Sequence, residues 1–342
     1  MSGAPSPTKP LRVGLIGGGR IGKVHAQSLQ RAGAIVAMVA DPIGDVAQTV
    51  AAEFGISRWT KNTAETFCDP DIDAVVICSP TAQHAEQIIE AARHKKQIFC
   101  EKPVAFSVDA VNEAIKATED AGVKLMIGFN RRFDANFARM KQAIDCDEIG
   151  KVNMLRITSR DPSAPPIEYV KVSGGLFHDM TIHDFDMARF LVGDEVDEVY
   201  AMAQSVNPEI AAVGDVDTAV VLLKFRGGVI CYIENSREAV YGYDQRAEVL
   251  GSKGSVACDN KHSNQVVVST HESVRRDLPL HFFLERYMDA YVAEMEAFIR
   301  VCTTDSVPVP VDGRDGREAL LLALAADKSL AEKRPVKMDE LR

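Results

Sequence analysis

The first third of the chain alternates short apolar runs with segments of helical spacing. The apolar runs cover residues 11–16, 34–40, 73–79, 97–102 and 124–129, with a shorter one near 57–60. Continuous apolar runs of this length are typical of strands that are buried on both faces of a parallel sheet. Segments such as 82–94 and 107–121 have the spacing of amphipathic helices, and Gly33, Gly55 and Gly122 stand where helices should end. The pattern predicts a doubly wound α/β domain.

The pattern changes after Arg132, where longer β-rich stretches replace the short apolar runs. These stretches cover residues 152–160, 196–206, 216–226 and 229–237, with further strands between 245 and 270. Gly227-Gly228 lies between two of them and predicts a hairpin, which implies antiparallel pairing. Helices are predicted at about 175–193, 282–302 and 314–332. We therefore expect an α+β domain with a mostly antiparallel open sheet packed by helices.

Length and composition agree with two domains. The chain has 342 residues, which exceeds the usual size of a single hydrophobic core, and 46% of them are apolar. We place a disordered leader at residues 1–10, the first domain at 11–129 and the second at 130–342. The leader has neither the apolar core of a secretory signal nor the arginine-rich character of a transit peptide.

Charge and cysteine content narrow the class of function. A net charge of −10 argues against a nucleic-acid partner or an anionic membrane surface, since phosphate binding favours clustered Lys and Arg. No stretch of the sequence is long and apolar enough to span a bilayer. Seven cysteines, an odd number without a C-x-x-C pair, predict neither a disulfide framework nor a zinc knuckle. We expect a cytoplasmic protein that acts on a small molecule.

A glycine-rich turn follows the first predicted strand and opens a predicted helix. Gly17, Gly19 and Gly22 satisfy G-x-G-x-x-G there, and Asp41 ends the second strand, 24 residues after the first glycine. The glycines permit close backbone approach to a pyrophosphate, and the helix N-terminus offers unpaired amides and a positive dipole. Asp41 would accept hydrogen bonds from the adenosine ribose and repel a 2′-phosphate. The turn therefore predicts a Rossmann domain that binds NAD rather than NADP.

Other candidates lie at the carboxyl ends of predicted strands, where ligands of open α/β sheets bind. Ser79, Thr81 and His84 follow one strand, with a helix cap and a surface imidazole as the alternatives for Thr81 and His84. Glu101-Lys102-Pro103 ends another strand, and the lysine there is either functional or a surface or ion-pair residue. The predicted cofactor-binding set is Gly17, Gly19, Arg20, Ile21, Gly22, Asp41, Ser79, Thr81, His84 and Glu101.

A second group of chemistry-bearing residues lies within a predicted helix. Asp179 and His183 are four residues apart, so both side chains face one side of that helix. An unperturbed histidine, with a pKa of roughly 6.5, can accept a hydroxyl proton at neutral pH, and a neighbouring carboxylate orients it. The alternative is two solvated positions on an amphipathic helix. His178, Asp184 and Asp186 could add metal ligands, but no H-E-x-x-H motif or cysteine partner accompanies them, and no metal is predicted.

Four further segments, taken with these motifs, resemble the glucose-fructose oxidoreductase and inositol dehydrogenase family. They are G-F-N-R-R-F (128–133), S-R-D-P (159–162), G-G-L-F-H-D-M-T-I-H-D-F-D-M-A-R-F (174–190) and Y-G-Y-D-Q-R (241–246). The resemblance runs from about Leu11 to the last helices. It implies that the second domain binds substrate and forms the oligomer, and that the oligomer is a homotetramer.

The resemblance also implies a reaction and a catalytic group. The reaction is the NAD-dependent oxidation of one secondary hydroxyl of myo-inositol, a small polyol, to the 2-keto product. Catalysis would rest on Lys102, Asp179 and His183. His183 would act as the general base, Asp179 would align it, and Lys102 would bind the reacting oxygen.

The same resemblance places Arg131, Asp161 and Tyr243 at the polyol, beside the catalytic group. Some relatives carry asparagine at the position of Asp161, which would alter the hydroxyls that are recognised. Alternatives within the enzyme class are scyllo-inositol, chiro-inositol or an aldose such as glucose as the substrate. Outside that class, the alternative is a non-catalytic, dinucleotide-binding regulator that responds to sugars, for which the three catalytic residues would be unnecessary.

Overall fold

The computed structural model describes residues 9–341, which form two compact units. The first unit contains the described residues up to Phe129 together with Asp289–Arg317. The second contains Asn130–Met288 together with the described residues from Glu318 onward. Residues 1–8, most of the predicted leader, lie outside the described part of the chain.

The first unit is built on a six-stranded parallel sheet. In chain order its elements are β1 (Arg12–Ile16), α1 (Arg20–Arg31), β2 (Ile35–Ala40), α2 (Gly44–Glu53), β3 (Trp59–Thr60), α3 (Thr63–Cys68), β4 (Ala74–Ile77), α4 (His84–Arg93), β5 (Gln97–Glu101), α5 (Val108–Ala121) and β6 (Leu125–Gly128). The strand order is β3-β2-β1-β4-β5-β6, with every neighbouring pair parallel. Every residue of β4 is buried, as a strand covered on both faces requires. The predicted doubly wound sheet is confirmed, and its order reverses between β1 and β4.

The second unit is built on a seven-stranded mixed sheet. The elements that follow β6 are α6 (Ala135–Asp145), β7 (Val152–Arg160), α7 (Ile167–Val170), α8 (Ile182–Val192), β8 (Val196–Gln204), α9 (Pro208–Ala212), β9 (Thr218–Phe225), β10 (Ile230–Ser236), β11 (Asp244–Gly251), β12 (Ser255–Cys258), β13 (Val267–Ser269), β14 (Val274–Arg276), α10 (Phe283–Thr303), α11 (Gly313–Glu332) and β15 (Val336–Lys337). The strand order is β12-β11-β7-β10-β9-β8-β15. Only β7 and β10 pair in parallel within this sheet of described residues, so the mostly antiparallel prediction is confirmed.

The two faces of the seven-stranded sheet differ in exposure. Along β9, buried and exposed positions alternate, as expected for a strand with one covered face. The uncovered side, which we call the open sheet face, carries half-exposed apolar side chains. Three of them lie in one row across β11, β7 and β10: Leu250, Met154 and Ile230. Val220 and Leu222 of β9 extend this apolar surface.

The segment Asp289–Arg317 lies in the first compact unit, whereas the sequence-based domain assignment placed it in the second domain with the residues around it. The ring of Phe298 packs against Phe99 with a centroid distance of 5.6 Å. The amide of Ile127 in β6 donates to the carbonyl of Val311 at 2.9 Å. The apolar spacing of the predicted C-terminal helices indicated that they are buried, but it did not indicate which core they join.

Candidate active site

The glycine-rich turn after β1 has room for glycine alone at two positions. Gly17 has a φ of +96°, and a Cβ built on it would lie 2.6 Å from the carbonyl oxygen of Cys78. A Cβ on Gly22 would lie 2.0 Å from the carbonyl oxygen of Gly17. Both distances are far below van der Waals contact, so β1, the turn and α1 approach one another only because these side chains are absent.

The third glycine of the motif differs, because it borders open space. Gly19 is the N-cap of α1, and a Cβ built on it would meet nothing within 4 Å. No side chain caps this helix end, and its first turn, which begins with Arg20 and Ile21, contains no acidic residue. A helix end without a side-chain cap presents its amides and the positive end of its dipole to an anion such as a pyrophosphate.

Asp41 follows β2 and lies directly against this turn. Its Oδ2 accepts the amide of Gly18 at 2.8 Å, and its Oδ1 accepts the amide of Ile43 at 2.9 Å. Each oxygen keeps further acceptor capacity, which suits the two hydroxyls of a ribose. The open space at Gly19, the uncapped helix and this fixed carboxylate fit an adenine dinucleotide.

The loops after β4 and β5 are joined by His84. Its side chain is buried, with Nε2 at 2.7 Å from the carbonyl of Ser79 and Nδ1 at 2.8 Å from the carbonyl of Pro103. Burial lowers the pKa of His84, and its hydrogen bonds to these carbonyls act in the opposite direction. The surface-imidazole alternative for His84 is therefore wrong. Thr81 begins a short 3-10 helix without a side-chain cap, and the hydroxyl of Ser79 donates to Gln87 at 2.6 Å.

Glu101 ends β5, and Lys102 is the first residue beyond that strand. Oε1 of Glu101 lies 2.5 Å from Nε2 of His25, a fully buried residue of α1. The His25 ring packs edge-on against Phe99 and Tyr291, with centroid distances of 5.0 and 5.6 Å. The carboxylate of Glu101 is thus anchored in the core of the first unit, and Lys102 follows it as a half-buried residue.

In the second unit, the predicted helix at 175–193 begins differently from the expectation. Residues Phe177–Thr181 form a π-helical turn, and the regular α-helix α8 starts only at Ile182. Asp179 lies in the wide turn and His183 in the first turn of α8. Local π-turns of this kind often occur at functional sites. Apolar spacing predicted a helix here, but spacing alone did not distinguish a π turn from an α turn.

Asp179 is held by two residues from outside its own helix. Its Oδ1 accepts the hydroxyl of Tyr169 at 2.8 Å, and its Oδ2 accepts Nη1 of Arg237 at 3.3 Å. Sequence reasoning missed both partners. Tyr169 lies in the four-residue helix α7 and Arg237 lies just after β10, and neither stood out in the sequence as a member of a motif.

Arg131 is buried and paired with Asp184 of α8. Its Nη1 donates to Oδ1 of Asp184 at 2.5 Å, and its Nη2 donates to the hydroxyl of Ser159 at 3.3 Å. Asn235 donates to the other oxygen of Asp184 at 2.8 Å. Burial acts to lower the pKa of Arg131, but Asp184, Tyr287 and Tyr243 together more than offset this and the pKa is raised. Arg131 therefore carries a positive charge that is fixed in place by the fold.

Asp161 and Tyr243 lie in the same electrostatic neighbourhood. Burial raises the pKa of Asp161 to about 6, and Asp179 adds to this rise while Arg237 and Arg131 oppose it. Burial also raises the pKa of Tyr243, and Arg131 partly offsets the rise. The second unit therefore brings four of the predicted site residues together around one region: Arg131, Asp161, Asp179 and Tyr243. Lys102 and the predicted cofactor-binding residues belong to the first unit.

Two absences apply to residues 9–341. In this range no group of three or more metal-ligating side chains comes together. The residues weighed as metal ligands have other partners: Nε2 of His178 lies 2.7 Å from Asp327, and Asp186 accepts Arg132 at 2.5 and 2.9 Å. Within the same range, no helix has the combination of length and hydropathy that a bilayer crossing requires.

Comparison with known proteins identifies both parts of the chain. Residues 11–129 match the model of an oxidoreductase family with an NAD-binding Rossmann fold, and residues 137–257 match the GFO/IDH/MocA C-terminal domain. The predicted fold of the first domain and its cofactor class, NAD, are confirmed by this match.

Individual relatives cover almost the whole chain. Myo-inositol 2-dehydrogenase of Thermotoga maritima is 48% identical over 97% of this chain and 99% of its own length. The scyllo-inositol 2-dehydrogenase (NAD(+)) of Bacillus subtilis is 37% identical over 97% of both chains. The crystal structure of a myo-inositol dehydrogenase from Corynebacterium glutamicum has a TM-score of 0.91 and 39% identity, covering 96% of this chain and 99% of that one. With both domain models matched and relatives of full length, the chain is a member of the GFO/IDH/MocA family of NAD-binding oxidoreductases.

Proposed function

We propose that this chain oxidises one secondary hydroxyl of myo-inositol to a ketone, with NAD as the oxidant. One observation carries the proposal: in a family whose first domain binds NAD, the second unit gathers Arg131, Asp161, Asp179 and Tyr243 around one region. Clustered carboxylates, a fixed guanidinium and a phenol suit a ligand that presents a hydroxyl on every carbon. Similarity to enzymes named as inositol dehydrogenases supports the choice of polyol.

The catalytic roles follow from the chemistry of oxidising an alcohol. NAD, when bound, accepts the hydride that leaves the carbinol carbon. In the proposal His183 accepts the hydroxyl proton, and ionised Asp179 favours the imidazolium that forms. Lys102 donates a hydrogen bond to the reacting oxygen and stabilises its developing negative charge. The products are the ketone, the reduced cofactor and one proton.

The remaining residues would select the hydroxyl that reacts. Asp161 accepts hydrogen bonds from the polyol when ionised, and it can also donate one when protonated. With a pKa of about 6, it is mostly ionised at neutral pH. Tyr243 remains protonated because burial raises its pKa, so its hydroxyl can donate to or accept from a polyol oxygen. Arg131 contributes positive potential, since Asp184 and Ser159 already engage its guanidinium.

An initial-rate panel tests the proposal. Reduction of NAD is followed by the absorbance of the reduced nicotinamide, with myo-inositol, scyllo-inositol, chiro-inositol and glucose as substrates. We expect the highest kcat/KM with myo-inositol. A higher value with scyllo-inositol would move the chain to the activity named for its Bacillus subtilis relative. No turnover of any polyol would contradict the proposal and favour a non-catalytic regulator.

A pair of histidine variants separates catalysis from folding. His183→Ala should lower kcat by about 10² to 10⁴, the range for loss of a general base, and leave the Kd for NAD unchanged. The matched control is His271→Ala, since the His271 side chain is 90% exposed and should be dispensable. Full activity of His183→Ala would leave the proposed mechanism without its base.

We further propose a homo-oligomer, with the tetramer implied by family resemblance as its form. The open sheet face supports this proposal, because its apolar row of Leu250, Met154 and Ile230 is half-exposed in the single chain. Light scattering after gel filtration measures the mass in solution. We expect four chains in the wild type and fewer in Ile230→Lys, and a monomeric wild type would contradict the proposal.

We also propose a cytoplasmic location. All seven cysteines are free thiols, which agrees with a reducing compartment. Fractionation of the native cells, with detection by an antibody, tests this location, and recovery from an oxidising compartment would contradict it.

A further inference from the structure

Arg237 is a fully buried cation directly behind the proposed catalytic carboxylate. Its side chain is among the largest fully buried ones in the described chain, with 1% of the residue exposed. The backbone holds it at the end of β10, where its amide donates to the carbonyl of Asp217 at 2.9 Å. Burying a guanidinium costs free energy unless carboxylates compensate its charge. The partners of Arg237 therefore indicate its role.

Two carboxylates flank the guanidinium. Nη1 donates to Oδ2 of Asp179 at 3.3 Å, and Nη2 lies 3.9 Å from Oδ2 of Asp215. Asp215 in turn accepts the amide of Leu176 through its Oδ1 at 3.1 Å, just before the π-helical turn. Arg237 thus connects the catalytic carboxylate to the loop that precedes its helix.

The hydrogen bonding of Arg237 is incomplete. Within residues 9–341, its Nε and Nη2 have no hydrogen-bond partner, and neither does Oδ2 of Asp215. A guanidinium kept only for structure is usually satisfied by several acceptors, since each unpaired buried donor costs free energy. The guanidinium is therefore positioned to place its positive charge at Oδ2 of Asp179, and its other donors are left without acceptors among the described residues.

Charge explains why a cation is needed there. Asp179 raises the pKa of the neighbouring Asp161, and Arg237 lies close enough to Asp161 to lower it. Tyr169 donates to the other oxygen of Asp179 at 2.8 Å. Without the guanidinium, the negative charges of Asp161 and Asp179 would be less well compensated. The pair of carboxylates would then retain a proton to higher pH.

We propose that Arg237 is a positioning residue that, with Tyr169, keeps Asp179 ionised and fixed in orientation for His183. The inference rests on the proposed function, in which an ionised Asp179 favours the imidazolium. Three groups lie around Asp179: Tyr169 from α7, Arg237 after β10 and Asp161 after β7. His183 follows Asp179 by four residues along the helix, and Arg131 and Asp184 act on Asp161. Arg237 itself touches no reacting atom in this scheme.

The test compares Arg237→Met, Arg237→Lys and Tyr169→Phe with the control Arg286→Met. Arg286 is an equally buried guanidinium in the same unit, and it pairs with Asp134. Arg237→Met should lower kcat about 10- to 100-fold, the effect of losing a hydrogen bond to a charged group, with little change in KM or NAD affinity. The acid limb of its pH profile should move to higher pH, because Asp179 and His183 both hold protons more tightly.

The conservative variants keep the test decisive even if Arg237→Met folds poorly. Arg237→Lys retains the charge and should restore the acid limb towards the wild type. Tyr169→Phe, at an exposed position, should move the limb in the same direction as Arg237→Met but by less. An unchanged limb in Arg237→Met and Tyr169→Phe, or an equal shift in Arg286→Met, would overturn the assignment.

A measurement on the protein without substrate separates this inference from the proposed function. Carbon-13 NMR of the aspartate carboxyls, with Asp179 assigned through Asp179→Asn, gives the titration of Asp179 directly. We expect a higher pKa in Arg237→Met than in the wild type. If the wild type oxidises no polyol but this shift is present, the proposed function fails and the electrostatic role of Arg237 stands; if the shift is absent, the inference fails whatever the activity.

Discussion

The proposed cofactor region of the first unit consists mainly of backbone: two glycines where a Cβ would collide, one that borders open space, and an uncapped helix end. The corresponding region of the second unit consists of side chains, with the buried Arg131 and Arg237 beside the half-buried Asp161 and Asp179. The region in the first unit depends on the absence of side chains, whereas the region in the second unit depends on charged side chains that are shielded from solvent. Substitutions should therefore affect the first through ligand binding and the second through stability and protonation.

The largest expected effect is the loss of a buried partner in the second unit. Asp184→Ala leaves Arg131 buried without its carboxylate and should lower the free energy of unfolding by about 3–5 kcal/mol. The control is Glu53→Ala in the first unit, which removes the exposed Lys23–Glu53 pair and should cost at most about 1 kcal/mol. Urea unfolding measures both changes in the free energy of unfolding. Equal changes would contradict the proposed difference between the two units.

The next effect depends on pH. Burial holds the pKa of Asp161 at about 6, above its unfolded value, so its contribution to stability is present in acid and lost as the pH rises through about 6. Asp161→Asn removes this dependence. Relative to the wild type, the variant should gain on the order of 2 kcal/mol in unfolding free energy between pH 4 and pH 8.

Urea unfolding at these two pH values measures that gain. The matched control is Asp305→Asn in an exposed loop, for which we expect no such gain. A pH-independent difference between Asp161→Asn and the wild type would show that Asp161 is not a buried, titrating carboxylate.

The sequence predicted the strands and the candidate residues, but it did not predict the contacts that hold those residues in place. The strands of the first unit were predictable because each is a continuous apolar run, and Asp41 was predictable from its distance to Gly17. The pairing of Asp179 with Tyr169 and Arg237 joins residues 10 and 58 positions away, and no local pattern encodes contacts of that kind. The anchoring of Glu101 by His25, 76 positions away, was missed for the same reason.

A smaller effect should distinguish binding from folding in the first unit. Gly19→Ala adds a methyl group where the protein has nothing within 4 Å, at a φ of −67° that alanine accepts. We expect unchanged thermal stability but at least about tenfold weaker NAD binding, because the methyl occupies space that the pyrophosphate needs. Gly254→Ala, also without a neighbour within 4 Å, should change neither property. Calorimetry measures both, and unchanged affinity in Gly19→Ala would remove this glycine from the cofactor site.

The smallest effect concerns the choice of coenzyme. Asp41→Ala should lower the preference for NAD over NADP by about tenfold, since one hydrogen bond to a charged acceptor is lost together with its repulsion of a 2′-phosphate. The ratio of kcat/KM for the two coenzymes measures this preference. An unchanged ratio would place Asp41 away from the ribose and leave it as a residue that only fixes the glycine turn.

The division of the C-terminal chain between the units has a consequence for recombination within the family. The polypeptide passes from one unit to the other after Phe129, Met288 and Arg317, so neither unit is a contiguous segment. A fragment that stops at Phe129 keeps the whole parallel sheet but lacks the ring that covers Phe99 and the backbone acceptor for Ile127. An exchange of coenzyme domains between two family members therefore has to transfer residues 289–317 with the first 129, as two inserts in one gene.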